Sequence, residues 1–486
     1  MEWFVADHAW LGRAVFLHGL AALYVVAFVV AARQGPALIG SRGLTPVPTF
    51  LRRSGTRRDG LRRAPSLFHL HWSDQFFLTV CWSGAALAGL SLVGVTARLP
   101  LGVSMAVWLV LWALYLSVVN VGQVWYAFGW ETLLCEVGFL AVFLGDASTP
   151  PPRLGMLLLV WVLFRLEFGA GLIKMRGDAC WRDLTCLFYH HETQPMPGPL
   201  SWFFHHLPRP LHRVEVAANH VTQLVVPFGL FLPQPWAGVA AAVMLLTQLW
   251  LVASGNFAWL NWLAVVLAAS ALPDAWWSAL LPRPVEEWLV PSRAGAAPYP
   301  WVVAMVLLTA LVLVLSRRPV LNLLSPGQAM NASFDALRLV NTYGAFGSVT
   351  TVRHEVVLEG RDEQGAWREY GFAGKPGDPG RWPRQLAPYH LRLDWLMWFV
   401  ALSQRYAWPW LPRLLRRLLE ADAPTLRLLG RDPFGGERPQ AVRAVLWRYR
   451  FTTWAELRAT RACWHRERVG DLVAPVTLAT AEKDWW

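Results

Sequence analysis

The sequence predicts a membrane all-α helical bundle of about nine transmembrane helices, followed by a mixed α+β soluble domain that contains a β-hairpin. Three observations predict this. Hydrophobic types make up 55% of the 486 residues and charged types only 16%, against roughly 25% charged in a soluble globular chain. The apolar residues gather in stretches near the length of a bilayer crossing. The 30 Trp, with 24 Phe and 10 Tyr, suit rings seated where hydrocarbon meets headgroups.

Taken in order, crossings are expected near 10–32, 76–95, 101–121, 130–145, 154–173, 217–232, 236–253, 256–272 and 299–316. The first is a retained anchor, because Glu2 and Asp7 stand where a signal peptide would be basic and its apolar run is too long. Segments 130–145, 217–232 and 256–272 are short enough to be tilted or re-entrant. Residues 1–327 thus form the bundle, with a basic loop at 33–75 and a charged, His-rich loop at 174–216. Residues 328–486 form the soluble domain.

In that domain, TTVRHEVVL (350–358) alternates as a strand, and a turn leads to a second strand candidate, WREYGF (367–372). KPGDPGRWP (375–383) holds too much Pro and Gly for regular structure. Helices are expected at 388–402 and 408–422. In the second, Leu411, Leu414, Leu415 and Leu418 form a stripe suited to a membrane surface, to packing on the spans, or to a domain core.

The net charge of +12 comes from Arg set between apolar segments, which fits loops facing membrane lipids and not a nucleic-acid partner. Eight Arg lie between Arg33 and Arg63, five basic residues between Lys174 and Arg213, and Arg317 and Arg318 follow the last span. The opposite loops hold only Arg98, Arg153, Arg283 and Arg293. The positive-inside rule therefore puts the richer side, with the C-terminal region, in the cytoplasm.

Chemistry concentrates at 164–199. Arg165 and Glu167 at membrane depth are costly without a partner or a wet cavity. If the chain is an enzyme, Lys174 or His191 would serve as base, with Arg165 and Asp178 lining the cavity. The structural reading is buried pairs that hold helices in register. The histidines from His190 to His220 read as structural, because neighbouring side chains diverge and no HExxH occurs, so no metal and no cofactor is expected. Cys180 and Cys186 form a disulfide or redox pair in an oxidising compartment and stay thiols in a reducing one. A nucleophile elbow, a P-loop and a dinucleotide fingerprint are missing.

The strings GAGLIKMRGDACWRDLTCLFYHHETQPMPGP (169–199), VNTYGAFGSVT (340–350), KPGDPGRWPRQLAPYHLRLDWLMWF (375–399) and VLWRYRFTT (445–453) resemble the lipase maturation factor family. The resemblance runs nearly end to end. It implies a multi-pass membrane protein, without catalysis of its own, that helps client lipases or other secreted proteins fold, assemble and be secreted. Its partners would be the client and membrane lipids. The resemblance implies the endoplasmic reticulum membrane in eukaryotes and the inner (plasma) membrane in bacteria. It also implies an extracytoplasmic C-terminal domain, opposite to the Arg count, and a secreted client is met on that side. Client contacts are expected from Tyr343, Phe346, Trp367, Trp382, Trp395 and Trp398. The N-terminal half is also distantly similar to membrane proteins related to the vitamin K-dependent carboxylase. That likeness supports the alternative of an intramembrane enzyme with a charged cavity around 165–192.

Overall fold

The computed structural model describes residues 2–291 and 296–481. Arg293, counted above on the less basic side, lies outside them. The bundle is built from α1 (Trp10–Leu38), α2 (Asp74–Leu92), α3 (Leu101–Val121), α4 (Gly129–Ala141), α5 (Arg153–Arg176), α6 (Leu187–Thr193), α7 (Arg209–Leu224), α8 (Trp236–Ser254), α9 (Leu260–Ser270), α10 (Asp274–Leu280) and α11 (Tyr299–Leu324). Helix α1 spans 29 residues, about 44 Å at 1.5 Å per residue. It runs through the centre and buries side chains on most of its circumference. Ser73 caps α2 by accepting from the Phe76 amide, with Asp74 in the first turn.

Six helices, not nine, are long and apolar enough to cross a membrane among the described residues: α1, α2, α3, α5, α8 and α11. The bent pair α9–α10, turned through 111°, makes a seventh if counted as one span. The three short stretches fail for different reasons. Helix α4 has 13 residues, about 20 Å of rise against a hydrocarbon core of about 30 Å. The 217–232 stretch breaks at Val225, where α7 ends just before Pro227. Helix α9 has 11 residues and stops ahead of Pro273.

Hydrogen bonds fix what meets at each end. At the end where α1 begins, the Ala6 amide donates to Pro151, Ala147 to Ala97 and Asp274 to His8, and the Trp301 indole donates to the Phe143 carbonyl. At the opposite end Gln123 donates to the Thr45 carbonyl, Arg176 to Leu323 and Arg417 to Arg42. The C-terminal region therefore sits at the same end as the Arg-rich loop.

That region holds β1 (Arg353–Arg361), β2 (Trp367–Glu369), α12 (Arg392–Leu402), α13 (Trp410–Leu419), β3 (Ala441–Phe451) and β4 (Trp464–Val476). The strands form one antiparallel sheet in the order β2-β1-β3-β4, with Val356 opposite Leu446. The expected hairpin is β1–β2, and 375–383 carries no regular element. The stripe of α13 is fully inside, and Trp410 stacks edge-on against Trp125 at 5.2 Å. Bundle and sheet region share one hydrophobic core.

Candidate functional site

Glycine and small residues in the last turns of α5 let neighbouring chains approach it closely. A Cβ on Gly169 would lie 2.5 Å from the Tyr343 carbonyl oxygen. Beside this contact α5, α7, α8, α9 and the 343–348 segment leave a cavity of about 860 Å³, closed at one side by Trp395 and Trp398 of α12. Its wall is mainly apolar, and a polar row crosses it. Asn261 donates to Gln248 at 2.7 Å, and Gln248 donates to Glu167 Oε1 at 2.6 Å. Gln223 donates to Glu167 Oε2 at 3.1 Å and accepts from Lys174 Nζ at 2.9 Å. Lys174 also donates to Asn219 at 2.7 Å. The ammonium lies 4.9 Å over the Trp181 ring, so hydrogen bonds and an aromatic face together hold the buried cation. Glu167 and Lys174 share a face, as their seven-residue spacing requires, but they meet through Gln223.

The enzyme candidates do not converge on this cavity. Lys174 lines it; His191 and Arg165 do not. Arg165 is 1% exposed, paired with Glu136, and donates to the Asn341 carbonyl at 2.6 Å. Asp178 accepts from the Val349 amide at 2.7 Å and borders a smaller neighbouring cavity of about 240 Å³ with His190. Burial pushes the His190 imidazole down to about 4, and the Lys174 charge adds to the effect. His191 is pushed down to about 3, again chiefly by burial. Cys180 and Cys186 are joined as a disulfide in the turn after α5.

The aromatic candidates separate by burial. Tyr343 is 1% exposed and donates to Glu136 at 2.5 Å, and Trp395 is 4% exposed. Phe346 and Trp398 line the cavity, and the guanidinium groups of Arg361 and Arg443 lie 5.8 and 4.1 Å from the Trp367 ring centroid. Trp382 instead borders an aromatic surface where Phe203 and Trp454, 45% and 49% exposed, lie 6.2 Å apart, with Leu200 one turn away at 46%.

Sequence reasoning missed the groups that join bundle to sheet region. Arg392 donates to Glu131 at 2.7 Å and sits 3.6 Å from the Tyr126 ring centroid. Tyr115 donates to the same carboxylate. Arg353 and Lys375 both pair with Glu355, and Arg353 reaches the carbonyls of Glu192 and Pro195. The available signal was Glu131 and Glu136 inside an apolar stretch, each costly there without a cation.

Comparison with known proteins agrees with this architecture. Residues 11–279 match the family model described as lipase maturation factor transmembrane domain, and residues 339–474 match lipase maturation factor C-terminal domain. Lipase maturation factor 1 of Bos taurus is 42% identical over 96% of this chain and 89% of its own. The Homo sapiens protein of that name is 40% identical over 96% and 88%. Lipase maturation factor 2 of Homo sapiens is 30% identical over 96% and 83%. No solved structure matches.

Proposed function

Because the chain belongs to the lipase maturation factor family and is an integral membrane protein, we propose that it assists client lipases to their folded, secretable form and does so by binding. The observation that carries this reading is the exposed apolar surface of Leu200, Phe203 and Trp454, with the half-buried Trp382 at its edge. A contiguous apolar patch on an otherwise polar face is the kind of surface that holds a partly folded chain. Of the other expected contacts, Phe346 and Trp398 border the cavity, Trp367 lies against Arg443, and Tyr343 and Trp395 are buried in the cavity wall.

In this reading the short helices complete the passage of the chain, which then crosses nine times. Trp130 in α4 accepts at the sheet end from Trp259, while Phe143 accepts at the other end from Trp301. The sheet end faces the extracytoplasmic side. The Cys180–Cys186 disulfide supports that orientation, since such bonds persist in oxidising compartments. The membrane would be the inner membrane of a bacterium or the endoplasmic reticulum of a eukaryote.

The test is purification from the native membrane with identification of bound secreted proteins. Enrichment of lipases supports the reading, and their absence from the bound fraction overturns it. The second reading, an intramembrane enzyme, draws on Lys174 and Glu167 in the large cavity. It requires small-molecule turnover by the purified protein that vanishes in Lys174→Ala.

A further inference from the structure

We propose that His191, His212 and Glu215 form a binding site for a divalent transition-metal ion of the Zn²⁺ class, a site independent of client binding. His191 comes from α6, and His212 and Glu215 lie one turn apart on α7, so both face α6 together. His191 Nε2 is 4.0 Å and His212 Nδ1 is 3.9 Å from the same oxygen, Glu215 Oε2. All three ligand atoms lie within 4.8 Å of one another. A point equidistant from them is at most about 2.5 Å from each, so an inward shift of about 0.4 Å gives the 2.0–2.2 Å of Zn–N and Zn–O bonds.

The surroundings select a ligand set over a hydrogen-bonded cluster. His191 and His212 are 2% and 1% exposed, yet His191 Nδ1 and Nε2 and His212 Nδ1 have no hydrogen-bond partner among the described residues. Polar nitrogens buried in that state are costly, and an ion would take the lone pairs of His191 Nε2 and His212 Nδ1, the two that lie near Glu215. The outer groups of His212 and Glu215 are already arranged. His212 Nε2 faces the His205 carbonyl at 3.4 Å, and donating there leaves the lone pair on Nδ1, directed at Glu215. The Trp250 indole donates to Glu215 Oε1 at 2.7 Å and leaves Oε2 for the ion. Carbonyl and indole partners that fix the tautomer and the carboxylate are the outer shell that metal ligands need. Two imidazoles and one carboxylate suit Zn²⁺, and three protein ligands leave a fourth position for water or a further ligand.

The full chain in detergent, stripped with chelator and re-equilibrated with Zn²⁺, is expected to retain one Zn²⁺ per chain by elemental analysis. With Co²⁺ in its place, the wild type should show a visible d–d spectrum. His212→Ala and Glu215→Gln should each weaken Zn²⁺ binding by at least about 100-fold, and His206→Ala should leave it unchanged. If those variants fail to fold, Trp250→Phe keeps all three ligands and removes only the indole donor; it should cost about tenfold in affinity with the Co²⁺ spectrum retained. Absence of retained Zn²⁺ in the wild type, or equal retention by wild type, His212→Ala and Trp250→Phe, overturns the site.

Discussion

At Arg392 the energetics of a buried ion can be read on one side chain. The guanidinium is fully enclosed, bonded to Glu131 and the Trp125 carbonyl and laid on the Tyr126 ring. Arg392→Met would leave Glu131 buried with its charge uncompensated, and the expected loss is about 3–5 kcal/mol. Glu131→Gln with Arg392→Met removes both charges and should recover most of it, as read by the thermal midpoint in one detergent. His390, beside this pair, is held down to about 4, first by burial and then by the Arg392 charge. Since its folded value lies below the unfolded 6.5, the unfolded chain binds the proton first, and stability present above pH 6.5 is lost as pH falls toward 4. Between pH 7.5 and 5 this one group should account for about 1–2 kcal/mol of the loss. His390→Gln should flatten the decline of the midpoint by that amount, and an unchanged slope would remove His390 as its cause.

Among the elements, α5 shows how tightly the 340–350 segment is stitched into the bundle. Gly169→Val places carbon against the Tyr343 backbone, which has no flexible end to yield, so a loss of about 1–3 kcal/mol is expected. Gly102→Ala, where no atom lies within 4 Å of the added carbon, should be neutral. The same elements mark where the sequence could be read and where it could not. The β1–β2 hairpin announced itself by alternation and a turn, and the stripe on α13 by its leucine spacing. The breaks within the shorter apolar stretches did not, because apolar composition cannot see that Val225 and Pro227 end α7 or that α9 and α10 meet at 111°. Glu167 stood out as a charge at depth and Lys174 as the cation seven residues on, while Gln223, Gln248 and Asn261, which make their row continuous, are ordinary helix residues until three helices bring them together. The pair His212 and Glu215 looked unremarkable for the same reason. Its partner His191 arrives from another element.

The whole molecule is a bundle with its sheet region fastened to one end by three buried ionic clusters, around Glu131, Glu136 and Glu355. Such fastening makes that end a common platform, on which Phe203 from the bundle loop meets Trp382 and Trp454 from the sheet region. If the platform faces outward, Cys180 and Cys186 should resist alkylation in native membranes until a reductant is added, while a cytoplasmic platform would leave both thiols reactive from the start. The most direct test of the maturation reading is the secreted activity of a client lipase, co-expressed with the wild type, with Phe203→Asp/Trp454→Asp, or with Lys174→Ala, at matched membrane levels. Secretion should fall to the level without the protein in the double variant and persist in Lys174→Ala; full secretion with the double variant and loss in Lys174→Ala would contradict a binding platform and leave the cavity as the working part.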